Sequence, residues 1–183
     1  MQSGADATAD ASDGAASDVA TDTSFDAACP SASDLVINGG FATGTAPWIK
    51  YNAAIEAVPG GPCGRALHVF DIAPYGEASQ RVNRPLAKGT KLRLRAWFSS
   101  DGLPSGELAP SASVSFLRSV DGGEASSDHL SVSPPGTPTG WVEAQGTITL
   151  TEDQTAYTVN LNTNRVHGGT PGLYFAAVSL TVE

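Results

Sequence analysis

The chain has few of the residues from which catalytic and metal centres are built. Its three histidines, His68, His129 and His167, stand apart from each other and from both cysteines, so no spacing typical of metal ligands occurs. The sequence contains no G-x-S-x-G nucleophile motif and no glycine-rich nucleotide-binding loop. Paired carboxylates for glycoside cleavage could come from Glu56, Asp71, Glu77 or Glu143, but the sequence places no two of them at the separation that this chemistry needs. These absences predict a protein that is not an enzyme and that needs no cofactor or metal.

Positive charge and long apolar runs are also scarce. Lysine and arginine number 10 against 19 aspartates and glutamates, giving a net charge of -9, which disfavours a nucleic-acid partner. No stretch reaches the roughly 18 apolar residues of a membrane-spanning helix, and no signal-peptide pattern is seen. The 183 residues suffice for one domain with a full core.

Residues 1–28 differ in composition from the rest of the chain. They hold six aspartates and no lysine or arginine, and most of the others are alanine, serine or threonine. Such a segment buries too little apolar surface to offset the entropy of ordering it, so we expect a disordered acidic linker. Its composition resembles the spacer after the lipid-bearing cysteine of exported bacterial lipoproteins. We therefore expect an exported protein, extracellular or on the outer cell surface, with a lipid anchor upstream as one possibility.

The chain has two cysteines, Cys29 and Cys63. We predict that they form a disulfide, which would close a loop of about 35 residues and contribute on the order of 3 to 4 kcal/mol on the chain-entropy model. The alternative is a pair of free thiols in a cytosolic protein. Pairing implies an oxidising, exported compartment.

The region from 29 to 183 reads as an all-β domain. Short runs rich in Val, Ile, Leu, Thr, Phe and Trp alternate with glycine or proline clusters, which predicts an antiparallel β-sandwich without helices. The predicted strands are 35–38, 53–58, 66–73, 77–84, 90–100, 111–120, 127–132, 141–150, 155–162 and 172–182.

Alternation within two of these strands separates a core side from a polar side. The sides assigned to the core consist of Leu92, Leu94, Ala96, Phe98, Tyr157, Val159 and Leu161. The opposite sides consist of Arg93, Arg95, Trp97, Thr158, Asn160, Asn162 and Asn164. The polar sides are therefore expected to face solvent.

Four regions of the chain resemble, in order and spacing, the carbohydrate-binding modules of families 4, 9 and 22. The segment 38–41 (NGGF), followed by Trp48, resembles the turn and tryptophan that begin their jelly roll. The region 78–98 resembles their Q-x-V and L-x-x-G segments and, from residue 92, their Y-x-L-S-A-W-V strand. Residues 140–142 and 173–180 resemble the late tryptophan strand and the closing Y-F-D-D-V-S-L strand. The resemblance covers about residues 35–182 and implies a galactose-binding-domain-like jelly roll that binds polysaccharide.

Sugar recognition needs an aromatic platform for a pyranose ring and planar groups that bond to its hydroxyls. The predicted ligand-binding residues are Trp97, Arg93, Arg95, Gln80, Asn160, Asn162, Tyr51 and Tyr75. Gln80 joins this set through the family resemblance, and Tyr51 and Tyr75 are placed in loops at the rim. The set is expected on one concave sheet face.

Each of these assignments has a structural alternative. Trp97 could lie under a loop, the arginines could be a solvated edge that discourages aggregation, and the asparagines could be turn-prone surface residues. Trp48 and Trp141 stand where the resembling family has structural aromatics, so we expect both to be packing residues.

Six of the ten basic residues fall in one segment, residues 81–95. They are Arg81, Arg84, Lys88, Lys91, Arg93 and Arg95. A positive patch there would suit uronic or sulfated glycans. The alternative is that these bases pair with the scattered acids.

The resembling family usually holds a calcium ion with a glutamate after the N-G-x-F turn and an aspartate in the closing strand. Ala42 and Ala176 occupy these positions here. Because both hard oxygen ligands are missing, we predict that no calcium binds at this place and that the disulfide holds the same region.

The sequence thus favours non-catalytic polysaccharide binding by an exported, monomeric jelly roll. One alternative is a cell-surface protein-interaction or adhesive module without a sugar site. A second is a small jelly-roll polysaccharide lyase or hydrolase, which would need arginine, tyrosine and histidine, or two carboxylates, to converge in a cleft.

Overall fold

A computed structural model describes residues 29–69, 77–100, 110–136, 138–163 and 172–183. The predicted linker at 1–28, Tyr75, Asn164 and His167 lie outside the described residues. Within the described ranges, no helix is long and apolar enough to cross a membrane.

The described residues form two antiparallel sheets of five strands each. Sheet A has the order β1-β4-β9-β6-β7 and sheet B the order β2-β3-β10-β5-β8. The strands are β1 (Ile49–Tyr51), β2 (Ala53–Ala57), β3 (Arg65–Val69), β4 (Glu77–Val82), β5 (Lys91–Ser100), β6 (Ser111–Val120), β7 (Gly123–Val132), β8 (Val142–Thr149), β9 (Ala156–Asn162) and β10 (Leu173–Val182). This is the predicted all-β antiparallel sandwich.

The core lies between the two sheets, and the predicted alternation is correct. All four core-side residues of β5, from Leu92 to Phe98, have no exposed surface, and neither do Tyr157, Val159 and Leu161 of β9. Burying an aliphatic or aromatic side chain of this size contributes about 1.5 to 3 kcal/mol. These paired rows therefore supply much of the stability of the sandwich.

The predicted strand at 35–38 is wrong, because this segment forms turns. Leu35 and Val36 are buried, which is why they resemble a strand in the sequence. Asn38, however, has a φ of 54°, in the left-handed region that ends an extended chain. The sequence analysis also misses β1, and it starts β7 four residues too late, at 127 instead of Gly123.

The segment before β1 is fixed to the sandwich at several points. The Tyr157 hydroxyl donates a hydrogen bond of 2.7 Å to the Leu35 carbonyl, and burial raises the pKa of Tyr157 to about 12, so this group stays a donor. The Asp34 carboxylate accepts hydrogen bonds from the Leu180 backbone N-H and the Ser179 hydroxyl. The predicted disulfide between Cys29 and Cys63 is present, with 5.4 Å between the Cα atoms.

Candidate functional site

The predicted ligand-binding residues do not share one surface. Arg93, Arg95 and Trp97 belong to β5 in sheet B, whereas Asn160 and Asn162 belong to β9 in sheet A. Because the two sheets pack face to face, their outer faces point in opposite directions. The expectation of a single face is wrong: period-two alternation tells which side of a strand is buried, but not which sheet the strand joins.

Gln80 is not available to a ligand. Its side chain is 1% exposed and lies on the core side of β4. The amide oxygen accepts a hydrogen bond of 3.0 Å from the Ile37 backbone N-H, and the amide nitrogen donates one of 3.0 Å to the Ile37 carbonyl. The predicted binding role of Gln80 is therefore corrected to a structural one, in which it satisfies the buried backbone of a turn.

The outer face of sheet B carries the bases of β5, and acids neutralise them. Arg95 pairs with Glu143 at 2.6 Å, while Lys91 and Arg93 both contact Glu183. The hydrogen bond from Lys91 is the main cause that lowers the pKa of Glu183. A shallow pocket of about 310 Å³ lies beside this pairing. The alternative in which the bases pair with scattered acids is the one observed for these three residues.

The aromatic side chains of sheet B pack on each other. Tyr174 stacks on His68 with 4.3 Å between ring centroids, and Trp141 meets Tyr174 edge-on at 6.5 Å. Trp141 also lies against Gly61, where an added Cβ would come within 2.8 Å of the indole. Trp141 is half-buried, and Trp97 is partly buried as well. Trp141 therefore acts as a packing aromatic, as expected.

Trp48 is likewise a packing residue. It is 5% exposed and lies 5.7 Å from Phe41, measured between ring centroids. Its indole N-H donates a hydrogen bond of 3.2 Å to the Asn38 carbonyl. Trp48 thus ties the glycine turn to the core and is not on the surface.

The outer face of sheet A carries a row of side chains, polar except at the β1 edge, that crosses adjacent strands. We call it the central row, and it consists of Ile49, Ser79, Asn160, Ser113 and Ser131, which are register partners in β1, β4, β9, β6 and β7. Neighbouring strands lie about 4.8 Å apart, so from Ser79 to Ser131 the row offers a hydroxyl or amide at each step. Parallel to it on one side lie Tyr51, Glu77, Asn162 and Ser111, and on the other Arg81, Thr158, Ser115 and His129.

The middle of the central row is accessible and unpaired. Ser79, Asn160 and Ser113 are half-buried, and within the described residues their side chains form no hydrogen bond. The amide of Asn160 can both donate and accept, and each serine hydroxyl can do the same. At the β1 edge the row meets two exposed apolar side chains, Ile49 at 63% and Tyr51 at 60% exposure. This face therefore combines hydrogen-bonding side chains in its middle with apolar side chains at its β1 edge.

The sequence of β6 contains a signal for this polar face. In β6, Ser111, Ser113 and Ser115 alternate with the buried Ala112, Val114 and Phe116. The same period-two rule that was applied to β5 and β9 assigns these serines to an outer face. Tyr51 is also placed differently, because it belongs to the edge strand β1 and not to a loop.

The place where the resembling family holds calcium lies beside the disulfide in this chain. Ala42 lines a pocket of about 270 Å³ together with Asn38 and both cysteines, while Ala176 is fully buried in β10. In the part of the chain that the structure describes, no group of three or more His, Cys, Asp or Glu residues could hold a metal. The absence of calcium at this place stays a prediction.

No family model and no curated protein matches the chain. Among solved structures, a family 16 carbohydrate-binding module has a TM-score of 0.62 at 17% identity, over 81% of this chain and 99% of that chain. The CBM22-1 xylan-binding domain of Paenibacillus barcinonensis Xyn10C has a TM-score of 0.55 at 13% identity, over 79% and 91%. A family 4 module has a TM-score of 0.51 at 15% identity, over 81% and 99%. The chain thus has the jelly-roll fold of carbohydrate-binding modules, as the sequence resemblance implied.

Proposed function

We propose that this chain is a non-catalytic carbohydrate-binding module that binds polysaccharide across the outer face of sheet A. Asn160 carries this proposal, since it stands in the middle of that face with a serine hydroxyl on each side and an amide that has no hydrogen-bond partner among the described residues. Adjacent hydroxyls of a sugar can bond to such a row at successive strands. The exposed Tyr51 supplies an apolar surface at the edge, against which a pyranose ring can pack.

The same arrangement supports binding without catalysis. Of the carboxylates on this face, Glu77 lies beside the central row and Glu124 is paired with Arg81, whereas glycoside cleavage needs two carboxylates at a defined separation on either side of the bond that is cut. A shallow hydrated surface of this kind supports modest affinity. We further propose that the protein is exported, which the Cys29–Cys63 disulfide supports because such bonds persist in oxidising compartments.

The test is a polysaccharide panel read by affinity electrophoresis and calorimetry. Xylan is the first member, because a xylan-binding domain shares the fold, and mannan, mixed-linkage β-glucan and pectic polysaccharides follow. We expect Asn160→Ala to weaken binding about tenfold, because about 1.4 kcal/mol of hydrogen bonding is lost.

The matched control is Gln145→Ala, which removes an exposed amide from the outer face of sheet B. This variant should bind like the wild type. Wild-type protein that binds no polysaccharide of the panel would overturn the proposal, and so would equal losses in the two variants.

A further inference from the structure

An ion pair crosses the outer face of sheet A beside the central row. The Arg81 guanidinium donates from one nitrogen to both carboxylate oxygens of Glu124, at 2.7 and 2.6 Å, and from Nε to Asn83 at 3.0 Å. Arg81 belongs to β4 and Glu124 to β7. Because β9 and β6 lie between these strands in sheet A, the two side chains meet above them. We call this contact the Arg81–Glu124 bridge.

The bridge lies over one end of the face, beyond Thr158. Arg81 is the register partner of Thr158, two residues along β9 from Asn160. Two residues further on, Ala156 is 1% exposed, and it pairs with Leu117 of β6. Two residues of a strand span about 7 Å. The bridge therefore forms a raised edge that runs beside the central row, about one sugar's width from it.

Several contacts hold the bridge in this position. The Thr155 hydroxyl lies 3.5 Å from the Glu124 carboxylate and donates its hydrogen bond to the Leu117 carbonyl at 3.1 Å. The charge-assisted bonds from one Arg81 nitrogen to both Glu124 oxygens, together with the bond from Arg81 Nε to Asn83, fix the orientation of the guanidinium. A ligand group that needs this space has to displace the whole network.

From this geometry we propose that the Arg81–Glu124 bridge determines which polysaccharides the face accepts. A linear polysaccharide fits along the central row. A polysaccharide is excluded when sugar substituents project from the side of its backbone that faces the bridge. The inference rests on the proposed function and names the determinant of its specificity. The bridge acts by exclusion, a common source of discrimination between similar ligands.

The test compares linear and substituted oligosaccharides that share one backbone, such as xylo-oligosaccharides with and without arabinose, or manno-oligosaccharides with and without galactose. The backbone is the one that the polysaccharide panel identifies. We expect the wild type to bind the substituted member at least about fivefold more weakly. Arg81→Ala and Glu124→Ala should each bring the two affinities within about twofold of each other, because either change removes the bridge.

Both side chains are exposed, at 44% and 37%, so the substitutions should leave the fold intact. Arg95→Ala is the control, because it breaks a comparable ion pair on the opposite sheet and should keep the wild-type preference. A preference that survives in Arg81→Ala and Glu124→Ala, or equal wild-type binding of both members, would overturn this inference alone. Failure to bind any polysaccharide would overturn the proposed function together with it.

Discussion

Asn160 of β9 is the register partner of Ser113 of β6, and both side chains point out from sheet A. Their backbones lie about 4.8 Å apart, so one sugar residue can bond to the amide and the hydroxyl together. Neither side chain is committed to another hydrogen bond within the described residues. The pair is therefore the element of the face that a polysaccharide ligand should engage first.

This pairing predicts coupled effects on affinity. We expect Ser113→Ala to weaken polysaccharide binding about threefold to tenfold, because a neutral hydrogen bond contributes about 0.5 to 1.5 kcal/mol. If one sugar bonds to both groups, the double variant with Asn160→Ala should lose less than the two single losses combined. Calorimetric titration of the four proteins checks this, and strictly additive losses would show that the two residues bind independently.

Gln80 should matter for stability and not for binding. Gln80→Ala leaves the buried N-H and carbonyl of Ile37 without partners, which costs about 2 to 4 kcal/mol in the free energy of unfolding. Ser79→Ala, at the neighbouring outward position, should change that free energy by less than about 0.5 kcal/mol. Urea unfolding measures both variants. A Gln80→Ala protein of unchanged stability that has lost ligand binding would restore the role given to Gln80 by the family resemblance.

The disulfide should stabilise the sandwich by closing a long loop. Replacing both Cys29 and Cys63 by serine should lower the free energy of unfolding by roughly 3 to 4 kcal/mol. A reductant should lower the stability of the wild type by a similar amount and leave the double variant unchanged. Equal unfolding midpoints for wild type and variant in oxidising buffer would contradict this expectation.

Asp34 should make the stability depend on pH with a defined sign. Burial raises the pKa of Asp34 above its ordinary value of 3.8, although hydrogen bonds, that of Ser179 first among them, act to lower it. The native state therefore keeps this proton at pH values where the unfolded chain has lost it. Its contribution to the free energy of unfolding is present below the ordinary pKa and is lost as the pH rises through the higher native value.

The variant that isolates this effect is Asp34→Asn. Asparagine can still accept the backbone hydrogen bonds of Val36 and Leu180, at 2.9 and 2.8 Å in the wild type, but it does not titrate. The quantity to follow is the difference in the free energy of unfolding, wild type minus variant. This difference should fall from about pH 3 upwards and then level off. Denaturant unfolding across this range checks it, and a difference that rises with pH would show that the native state favours the ionised carboxylate.

The pattern of alternation predicted the layers of the fold but not the assembly of the site. Leu94 and Val159 are core residues because each lies among aliphatic residues at every second position, and local pattern is sufficient to show this. Trp97 and Asn160 were joined into one site because both lie opposite such a row. Their separation depends on strand order, which is set by long-range pairing such as that of β5 with β10, and no local pattern encodes it.

Two further misses have different causes, one local and one long-range. β1 has three residues, too few for alternation to be recognised. The family resemblance gave Gln80 a binding role, but its burial depends on hydrogen bonds to Ile37, which is 43 positions away. The sequence around Gln80 and the sequence around Ile37 do not, taken separately, show that the buried amide pairs with the turn.

The most direct test of the account is to map the bound polysaccharide onto the two sheets by NMR. A titration of isotope-labelled protein with the oligosaccharide that binds should shift the backbone amides of Ser79, Ser113 and Asn160 and the side-chain amide of Asn160, and should leave Arg93 and the indole N-H of Trp97 unchanged. Shifts concentrated on Arg93, Arg95 and Trp97 would place the ligand on sheet B and contradict the account.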